Sequence, residues 1–359
     1  MKVALIGLSN SGKTTVFNAL TGQDHETTLY PTVSGDPHIG VIKVPDTRLD
    51  ALADIFKPKK TTHATIEYID YIGLTKGDHD QNRKVFDLIK DVDAIVHVVR
   101  IFHDETVAHP LGSIDPLRDI GTIELELIFG DLELVEKRIE RIEETVRHGK
   151  KPDEKEKAFI VKCRDHLTSE KPLRTVDFTD EELNTMKSFQ FLTTKPEVVV
   201  FNIGETDLQD ERIRSMQHEL EAMFPSLAFL SLCGKLEMEL SLLTPADAGM
   251  FLEDLGIDEP ASSRLIRACH HMLGLITFFT TLGNEARAWS IRRGTPALKA
   301  AGKVHSDIER GFIKAEVISF DDFIAAGSLH AAREKGKLRL EGKTYEVNDG
   351  DIISFRFNV

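Results

Sequence analysis

Apolar positions in the N-terminal two thirds of the chain fall into short runs of strand length, and several of the segments between them have helical period. The runs cover residues 2–6, 64–70, 94–100, 196–202 and 227–232. Apolar runs of this length are typical of strands in a parallel sheet, because helices cover both faces of such a sheet. The pattern therefore predicts an α/β fold with a mostly parallel sheet.

A different period begins at residue 125. Apolar residues there alternate between spacings of three and four, at Leu125, Ile128, Leu132, Val135, Ile139, Ile142 and Val146. This heptad seam, flanked by Glu, Lys and Arg, is typical of a coiled coil. A second helix is predicted to begin at Thr179, which fits a capping box with Glu182, while Phe178 is placed to pack on Leu183. A helical arm inserted between two strands is one interpretation, and two ordinary helices packed on the sheet fit the period equally well.

The last segment, residues 275–359, differs in pattern and in charge. A helical stretch at 321–334 is surrounded by short β-rich pieces at residues 276–281, 286–291, 312–318, 337–340 and 352–357. Lys and Arg slightly outnumber Asp and Glu in this segment, whereas the whole chain has a net charge of −14. The segment is therefore predicted to be a separate small α+β domain.

The first predicted strand runs directly into a complete phosphate-binding loop, Gly-x4-Gly-Lys-Ser/Thr. The residues predicted to bind nucleotide here are Gly7, Leu8, Ser9, Asn10, Ser11, Gly12, Lys13, Thr14 and Thr15. Backbone N–H groups and the start of the following helix form an anion site in such a loop. Lys13 is predicted to reach the β- and γ-phosphates, and the Thr14 hydroxyl is predicted to bind Mg²⁺.

Two downstream elements indicate which kind of phosphate-loop protein this is. Asp70 and Gly73 form an Asp-x-x-Gly element after a strand, where the carboxylate meets Mg²⁺ through water and the glycine N–H senses the γ-phosphate. Further along, the positions that contact the base in nucleotide switch proteins are occupied by Asn202, Ile203, Glu205, Cys233 and Gly234. This order favours a switch NTPase over a small-molecule kinase. An ordinary strand-end turn residue is the alternative for Asp70, and a purely structural role is the alternative for Asn202 and Glu205.

Leu74 stands where related architectures place a glutamine that orients the attacking water. Leucine holds no water, so intrinsic hydrolysis is predicted to be slow. Asn10 is a candidate to compensate, because its side-chain oxygen is suited to hold K⁺ against the phosphates. The alternative is that Asn10 only shapes the loop.

Composition and charge bear on where the protein functions and what it binds. The chain has no apolar run long enough to span a membrane and no signal-peptide pattern, and its three cysteines lie far apart, which suits a reducing cytoplasm. The net charge argues against a surface that coats nucleic acid. A local basic face remains open, formed by Arg292, Arg293, Lys299, Lys303, His305, Arg310 and Lys314. A solvated surface is the commoner meaning of such a run.

Across essentially its whole length the chain resembles the Obg-like ATPases of the YchF subfamily. The resemblance rests on residues 7–14, Tyr30-Pro31, residues 44–49, 99–102, 115–120, 192–196, 235–240, Gly294-Thr295, residues 300–302, 305–307 and the ending 349–359. The family loop usually has Pro and Val where this chain has Ser9 and Ser11. Its first-switch threonine corresponds to Ser34, which keeps the hydroxyl as a Mg²⁺ ligand.

The resemblance implies a nucleotide-binding G-domain in two parts, residues 1–122 and 193–274, interrupted by a helical coiled-coil arm at 123–192. It further implies a C-terminal ubiquitin-like (β-grasp) TGS domain at 275–359. TGS modules recur in proteins of translation and stress signalling, so the ribosome or RNA is the expected partner. Protein partners would bind through the arm and the TGS domain.

Two classes of function follow from these observations. The first is a switch that binds and slowly hydrolyses ATP, with GTP as an additional or, in a GTP-specific GTPase, the preferred nucleotide. The second is a non-catalytic, nucleotide-gated binding module, in which Leu74 reflects lost hydrolysis.

Overall fold

A computed structural model of the chain describes residues 1–26, 37–149, 151–282 and 284–358. The strands in these residues are β1 (Lys2–Ile6), β2 (His38–Lys43), β3 (Lys60–Thr62), β4 (Thr65–Asp70), β5 (Ala94–Arg100), β6 (Glu197–Asn202), β7 (Ala228–Leu232), β8 (Leu275–Leu282), β9 (Glu285–Arg292), β10 (Phe312–Ser319), β11 (Arg339–Glu341) and β12 (Asp351–Phe357).

The α-helices in the same residues are α1 (Lys13–Thr21), α2 (Thr47–Phe56), α3 (His79–Ile89), α4 (Pro116–Arg147), α5 (Glu154–Thr168), α6 (Asp180–Met186), α7 (Glu211–Met223), α8 (Gly234–Ser241), α9 (Pro245–Asp254), α10 (Ala261–Met272), α11 (Ala297–Val304), α12 (Ser306–Arg310), α13 (Phe320–Ala326) and α14 (Leu329–Glu334). Short 3₁₀ turns occur at Leu173–Thr175 and Glu205–Asp207.

The first sheet has the order β2-β4-β1-β5-β6-β7, and the pairs β4–β1, β1–β5, β5–β6 and β6–β7 are parallel. Every residue of β5 and β6 is buried, which explains their unbroken apolar runs. In the register, Ile95, Val199 and Phe201 point to one face. Helices α3 and α4 pack around Ile95, and Leu220 of α7 joins the cluster around Val199. This arrangement confirms the predicted α/β fold and brings the carboxyl ends of β1, β4, β5 and β6 to the same edge.

Helix α4 is long enough to pack both on the sheet and against a second helix. Ile123 and Leu127 pack on the sheet, and Ile128 and Val135 pack against α5. The helix that packs against the heptad seam is α5, for which the sequence analysis gave no prediction. Both alternatives for the seam thus describe part of α4.

The helix predicted at Thr179 is present as α6, and Thr179 and Glu182 form the capping box. The predicted contact between Phe178 and Leu183 stays a prediction. Leu183 is exposed, and the Phe178 ring packs against Phe159 of α5 with ring centroids 5.7 Å apart. Phe178 thus joins the apolar cluster between α4 and α5.

A buried charge cluster joins the base of this helical pair to the sheet. The Arg174 guanidinium, in the turn after α5, pairs with Glu124 of α4 and lies 3.4 Å from a Glu197 carboxylate oxygen of β6. The other Glu197 oxygen lies 3.2 Å from His97 Nδ1 of β5. Burial, reinforced by the Glu197 charge, raises the pKa of Glu124 to about 8. Burial and the Glu197 charge thus favour the protonated form of Glu124, whereas the Arg174 charge favours the ionised form of Glu197.

The chain divides into two compact units, residues 1–40 with 67–262, and residues 41–66 with 263–359. The second unit contains a sheet of order β11-β10-β12-β8-β9-β3. Its strands β8–β12 lie close to the predicted positions, but its edge strand β3 comes from far upstream and pairs in parallel with β9. The sequence did not indicate this strand. The division into 1–122, 123–192, 193–274 and 275–359 stays a prediction.

Arg48 holds the upstream segment within the second unit. Its guanidinium bonds Asp46 at the start of α2 and donates to Asp349 at 2.8 Å, while Asp349 also accepts from the Thr277 N–H at 2.7 Å. Gly350 approaches this group with φ +86°, and a Cβ there would lie 3.1 Å from the Arg48 guanidinium. Glycine is therefore required at this turn.

Candidate nucleotide-binding site

The phosphate loop lies between β1 and α1 and depends on its two glycines. Gly7 has φ +148°, and a Cβ there would lie 2.4 Å from the Val98 carbonyl oxygen. Gly12 has φ +86°, and a Cβ there would lie 2.1 Å from the Asn202 amide nitrogen. Any side chain at either position would push the loop off the neighbouring strands, so both residues must be glycine.

Lys13 is buried at the start of α1. Its ammonium donates to the Leu8 carbonyl oxygen at 3.0 Å, which holds the charge against the loop. Burial lowers the pKa of Lys13 below its ordinary value, and the Asp70 carboxylate partly opposes that shift. The site thus contains a desolvated cation next to backbone N–H groups, which is an environment suited to phosphate.

Asp70 ends β4 opposite the loop. The Thr14 hydroxyl donates to Asp70 Oδ2 at 2.7 Å, and His38 Nδ1 lies 3.6 Å from the same oxygen. The other oxygen, Oδ1, is buried and has no hydrogen-bond partner among the residues that the structure describes. Burial raises the pKa of Asp70, although the Lys13 charge and the Thr14 hydrogen bond oppose the shift. An unsatisfied carboxylate oxygen beside a threonine hydroxyl fits a hard divalent cation.

Gly73 lies directly against the phosphate loop. A Cβ on Gly73 would lie 2.9 Å from the Ser9 backbone nitrogen, so the two backbones are in contact. The next residue, Leu74, donates its N–H to the Gly7 carbonyl oxygen at 3.0 Å and is almost fully buried in the core of the sheet. The position expected for a water-orienting glutamine therefore points away from the cavity.

The far side of the site is built on Asn202, at the end of β6. Its amide nitrogen donates to the Ser11 carbonyl oxygen, and its side-chain oxygen accepts from the Gly234 N–H, both at 3.0 Å. This side chain therefore ties the phosphate loop to the start of α8. Ile203 is buried in the core, and burial raises the pKa of the neighbouring Cys233 thiol.

Glu205, the other predicted base-contacting residue, is half-exposed at the mouth of the cavity. Its carboxylate lies 2.7 Å from the Lys235 ammonium of α8. Both side chains line the same cavity. The ion pair therefore fixes the carboxylate from the α8 side.

The segment after β5 forms one wall of the cavity, and the sequence analysis did not predict it. Phe102, His103, Asp104 and Val107 line the cavity. Arg100 shapes this segment, since its guanidinium donates to the carbonyl oxygens of Phe102, Asp104 and Val107 at 3.2, 3.0 and 2.9 Å. The position of the segment was foreseeable, because ligands of α/β sheets bind outside the carboxyl ends of the strands. The conformation that Arg100 imposes was not.

These elements enclose a cavity of about 1070 Å³. The predicted residues that line it are Ser9, Asn10, Gly12, Lys13, Thr14, Thr15, Asp70, Gly73, Asn202, Ile203, Glu205 and Cys233. Gln81 of α3 also lines it, and its amide donates to the Gly73 carbonyl oxygen at 3.2 Å. Ser34 lies outside the described residues, so its part in metal binding stays a prediction.

The chain matches two family models. Residues 2–128 match the model described as "50S ribosome-binding GTPase". Residues 275–358 match the YchF-GTPase C-terminal model, described as "Protein of unknown function (DUF933)". Among solved structures, the Schizosaccharomyces pombe YchF GTPase has a TM-score of 0.85 at 28% identity, covering 99% of this chain and 97% of its own. A GTP binding protein from Pyrococcus horikoshii OT3, at 18% identity and TM-score 0.62 over the whole of both chains, shares the fold.

A phosphate loop after β1, with Asp70 and Gly73 against it in a parallel sheet, defines a P-loop NTPase. The protein named "Ribosome-binding ATPase YchF" from Bacillus subtilis (strain 168) is 41% identical over 366 residues, covering all of both chains. The protein of the same name from Escherichia coli O157:H7 is 38% identical, covering all of this chain and 99% of its own. The chain belongs to the YchF family.

Proposed function

We propose that the chain is a ribosome-associated switch that binds ATP and hydrolyses it slowly. The observation that carries this proposal is the cavity in which Lys13, Thr14 and Asp70 converge while Leu74 is buried in the core. The first three residues supply what phosphate and metal binding require. Leu74 leaves the attacking water without the usual glutamine, which accounts for slow turnover.

Mg²⁺ is the ion that P-loop NTPases generally use, and the residues present fit it. Thr14 and Asp70 would hold the ion together with the phosphates, as the unsatisfied Asp70 oxygen supports. When bound, Mg²⁺ supplies positive charge against the phosphate oxygens. Lys13 adds a second cation on the loop side, and the Gly73 N–H is placed to meet the γ-phosphate. Release of phosphate from purified protein with Mg²⁺ separates this function from a non-catalytic module, which would release none.

ATP is expected to bind in preference to GTP. In an Asn-Lys-x-Asp element the aspartate accepts from guanine N1–H and N2–H₂, whereas here Glu205 is one methylene longer and is paired with Lys235 at 2.7 Å. The ion pair with Lys235 holds the Glu205 carboxylate away from the position of the guanine edge. Competition of unlabelled ATP and GTP against a fluorescent ATP analogue measures the preference.

The matched variants are Glu205→Asp, which is expected to raise the relative affinity for GTP, and the control Glu219→Asp on α7. A lower inhibition constant for GTP than for ATP in the unmodified chain would contradict the assignment and indicate a GTP-specific GTPase.

K⁺ is expected to accelerate hydrolysis more than Na⁺ does, through Asn10. This residue has φ +63°, and its amide nitrogen donates to the Ala108 carbonyl oxygen at 3.0 Å. Because the amide nitrogen makes that bond, the amide oxygen is the atom proposed to bind K⁺. Phosphate release at matched ionic strength in the two salts, with Asn10→Ala alongside, measures the effect. Equal rates in K⁺ and Na⁺ would remove Asn10 from the mechanism.

The ribosome is proposed as the partner because the curated relatives are named for binding it. A cytoplasmic location and a role in regulating translation or the stress response follow from that partner. The helical pair α4–α5 and the C-terminal TGS domain offer further surfaces for proteins. Within the described residues, no helix combines the length and the apolar character needed to cross a membrane.

The basic run of the C-terminal unit is partly neutralised. Lys299 pairs with Glu309 at 2.8 Å, and Arg310 pairs with Asp307 at 2.6 Å. These pairs weaken the prediction of a phosphate-binding face on this run. Sedimentation with ribosomal subunits in a nonhydrolysable ATP analogue tests the partner. Failure to sediment with either subunit, under conditions in which the analogue binds, would reject ribosome association while leaving the ATPase assignment intact.

A further inference from the structure

The end of α8 and the outer side of α9 expose large apolar side chains close together in sequence. Leu242 is 72% exposed and Met250 is 61% exposed, and Leu243 and Phe251 are also exposed. These four side chains lie within ten residues of chain. Clustered exposed apolar residues mark interaction sites more often than single ones do.

Helix α9 has a well-defined inner and outer side. Leu252 is buried, and Ala248 and Leu255 pack with it against the core of the first unit. One exposed side of the helix carries Asp247, Met250, Phe251 and Asp254 at positions i, i+3, i+4 and i+7. The apolar pair is therefore flanked along one helix face by a carboxylate at each end.

The stretch of chain that carries this face has charged side chains of a single sign. Residues 236–263 contain seven Asp and Glu and no Lys, Arg or His. One of the seven, Glu237, is buried and accepts from the Ala261 and Ser262 N–H groups at the start of α10. The others include the two carboxylates of the α9 face.

We propose that this acidic–apolar face, formed by Asp247, Met250, Phe251 and Asp254, docks a Lys/Arg-rich amphipathic segment of a partner protein. Apolar side chains of the segment would cover Met250 and Phe251, and its cations would meet the flanking carboxylates. Phosphate backbones and anionic lipids are repelled by the same carboxylates. A second copy of this chain, with its own charge of −14, is disfavoured for the same reason. The inference goes beyond the proposed function, since it requires neither hydrolysis nor a ribosome.

The test uses the full chain and two synthetic peptides made of Lys and Leu. One peptide places its leucines at helical spacing on one face, and the other has the same composition in scrambled order. Fluorescence anisotropy at physiological ionic strength measures binding. The unmodified chain is expected to prefer the amphipathic peptide. The double variant Met250→Ser/Phe251→Ser is expected to bind it at least about tenfold more weakly, as for truncation of an interface anchor.

Two further variants keep the test decisive. Asp254→Lys changes one exposed carboxylate and is expected to weaken binding of the same peptide even if the double variant folds poorly. Met223→Ser, on α7, removes another exposed apolar side chain and is expected to leave binding unchanged. Circular dichroism and ATP hydrolysis report whether each variant is intact.

Three results would overturn the proposal. Equal binding of the two peptides would show only general attraction to an acidic protein. Unchanged binding by both the double variant and Asp254→Lys, or no binding by the unmodified chain, would remove the face from recognition. A homodimer that Met250→Ser/Phe251→Ser dissolves would assign the face to a second copy instead.

Discussion

Replacing Lys13 by alanine is expected to weaken nucleoside triphosphate binding by about 100-fold, which abolishes tight binding, because a charge-assisted contact to phosphate contributes about 3 kcal/mol. The ammonium is buried and fixed on the Leu8 carbonyl oxygen, so water does not replace it easily. Titration calorimetry with ATP in the presence of Mg²⁺ measures the loss.

The fold is expected to survive Lys13→Ala. Burial lowers the pKa of Lys13, so the folded chain stabilises this charge less well than water does, and its removal costs little. Lys137→Ala, which removes an exposed lysine of α4 paired with Glu133, is the matched control and is expected to bind ATP normally. Unchanged ATP affinity in Lys13→Ala would show that the nucleotide does not bind in this loop.

Replacing Asp70 by asparagine is expected to slow Mg²⁺-dependent hydrolysis by about 100-fold, the usual cost of removing one electrostatic group from such a site. Asparagine keeps the size of the side chain and an oxygen for the Thr14 hydroxyl but loses the charge that attracts the metal. Steady-state phosphate release over a Mg²⁺ titration measures both the rate and the metal requirement.

The same substitution is expected to leave the free energy of unfolding unchanged or to raise it when nucleotide is absent. Burial raises the pKa of Asp70 in the folded chain, so the folded state binds the proton more tightly than the unfolded state. The stabilisation that this gives is complete at low pH and is lost as pH rises through the raised pKa. The free energy of unfolding of Asp70→Asn should not fall over this pH range, whereas that of the exposed control Asp54→Asn should fall as it does in the unmodified chain. Normal hydrolysis by Asp70→Asn would exclude Asp70 from metal binding.

Much of the first sheet was predictable because its information is local. The strands β1, β4, β5, β6 and β7 begin and end within one residue of the predicted runs. A buried parallel strand must be apolar on both faces, so it shows in the sequence without knowledge of its neighbours. The phosphate loop was predictable for a related reason, since Gly7 and Gly12 adopt backbone conformations that other residues rarely reach.

Helix α5 was missed although the sequence carried a pattern for it. Asp153 caps the helix, and Phe159, Cys163 and Leu167 follow at a spacing of four on one face. Lys, Glu and Arg dominate the rest of the segment, so its few apolar residues stabilise a helix only when α4 is present to cover them. The Thr179 cap was found correctly because a capping box is complete within four residues.

The sequence by itself determined the parallel sheet, the heptad of α4 and the residue types of the phosphate site. Only the tertiary structure decided that Leu74 turns into the core, that Asn202 ties two loops together and that Arg100 shapes a wall of the cavity. It also placed the short polar strand β3 beside β9 and buried Glu124 and Glu197 around one arginine. Periodicity and glycine conformation act between residues adjacent in the chain, so a sequence shows them directly. Burial of a charge, or the partner of a lone amide, depends on residues that folding brings together from distant positions.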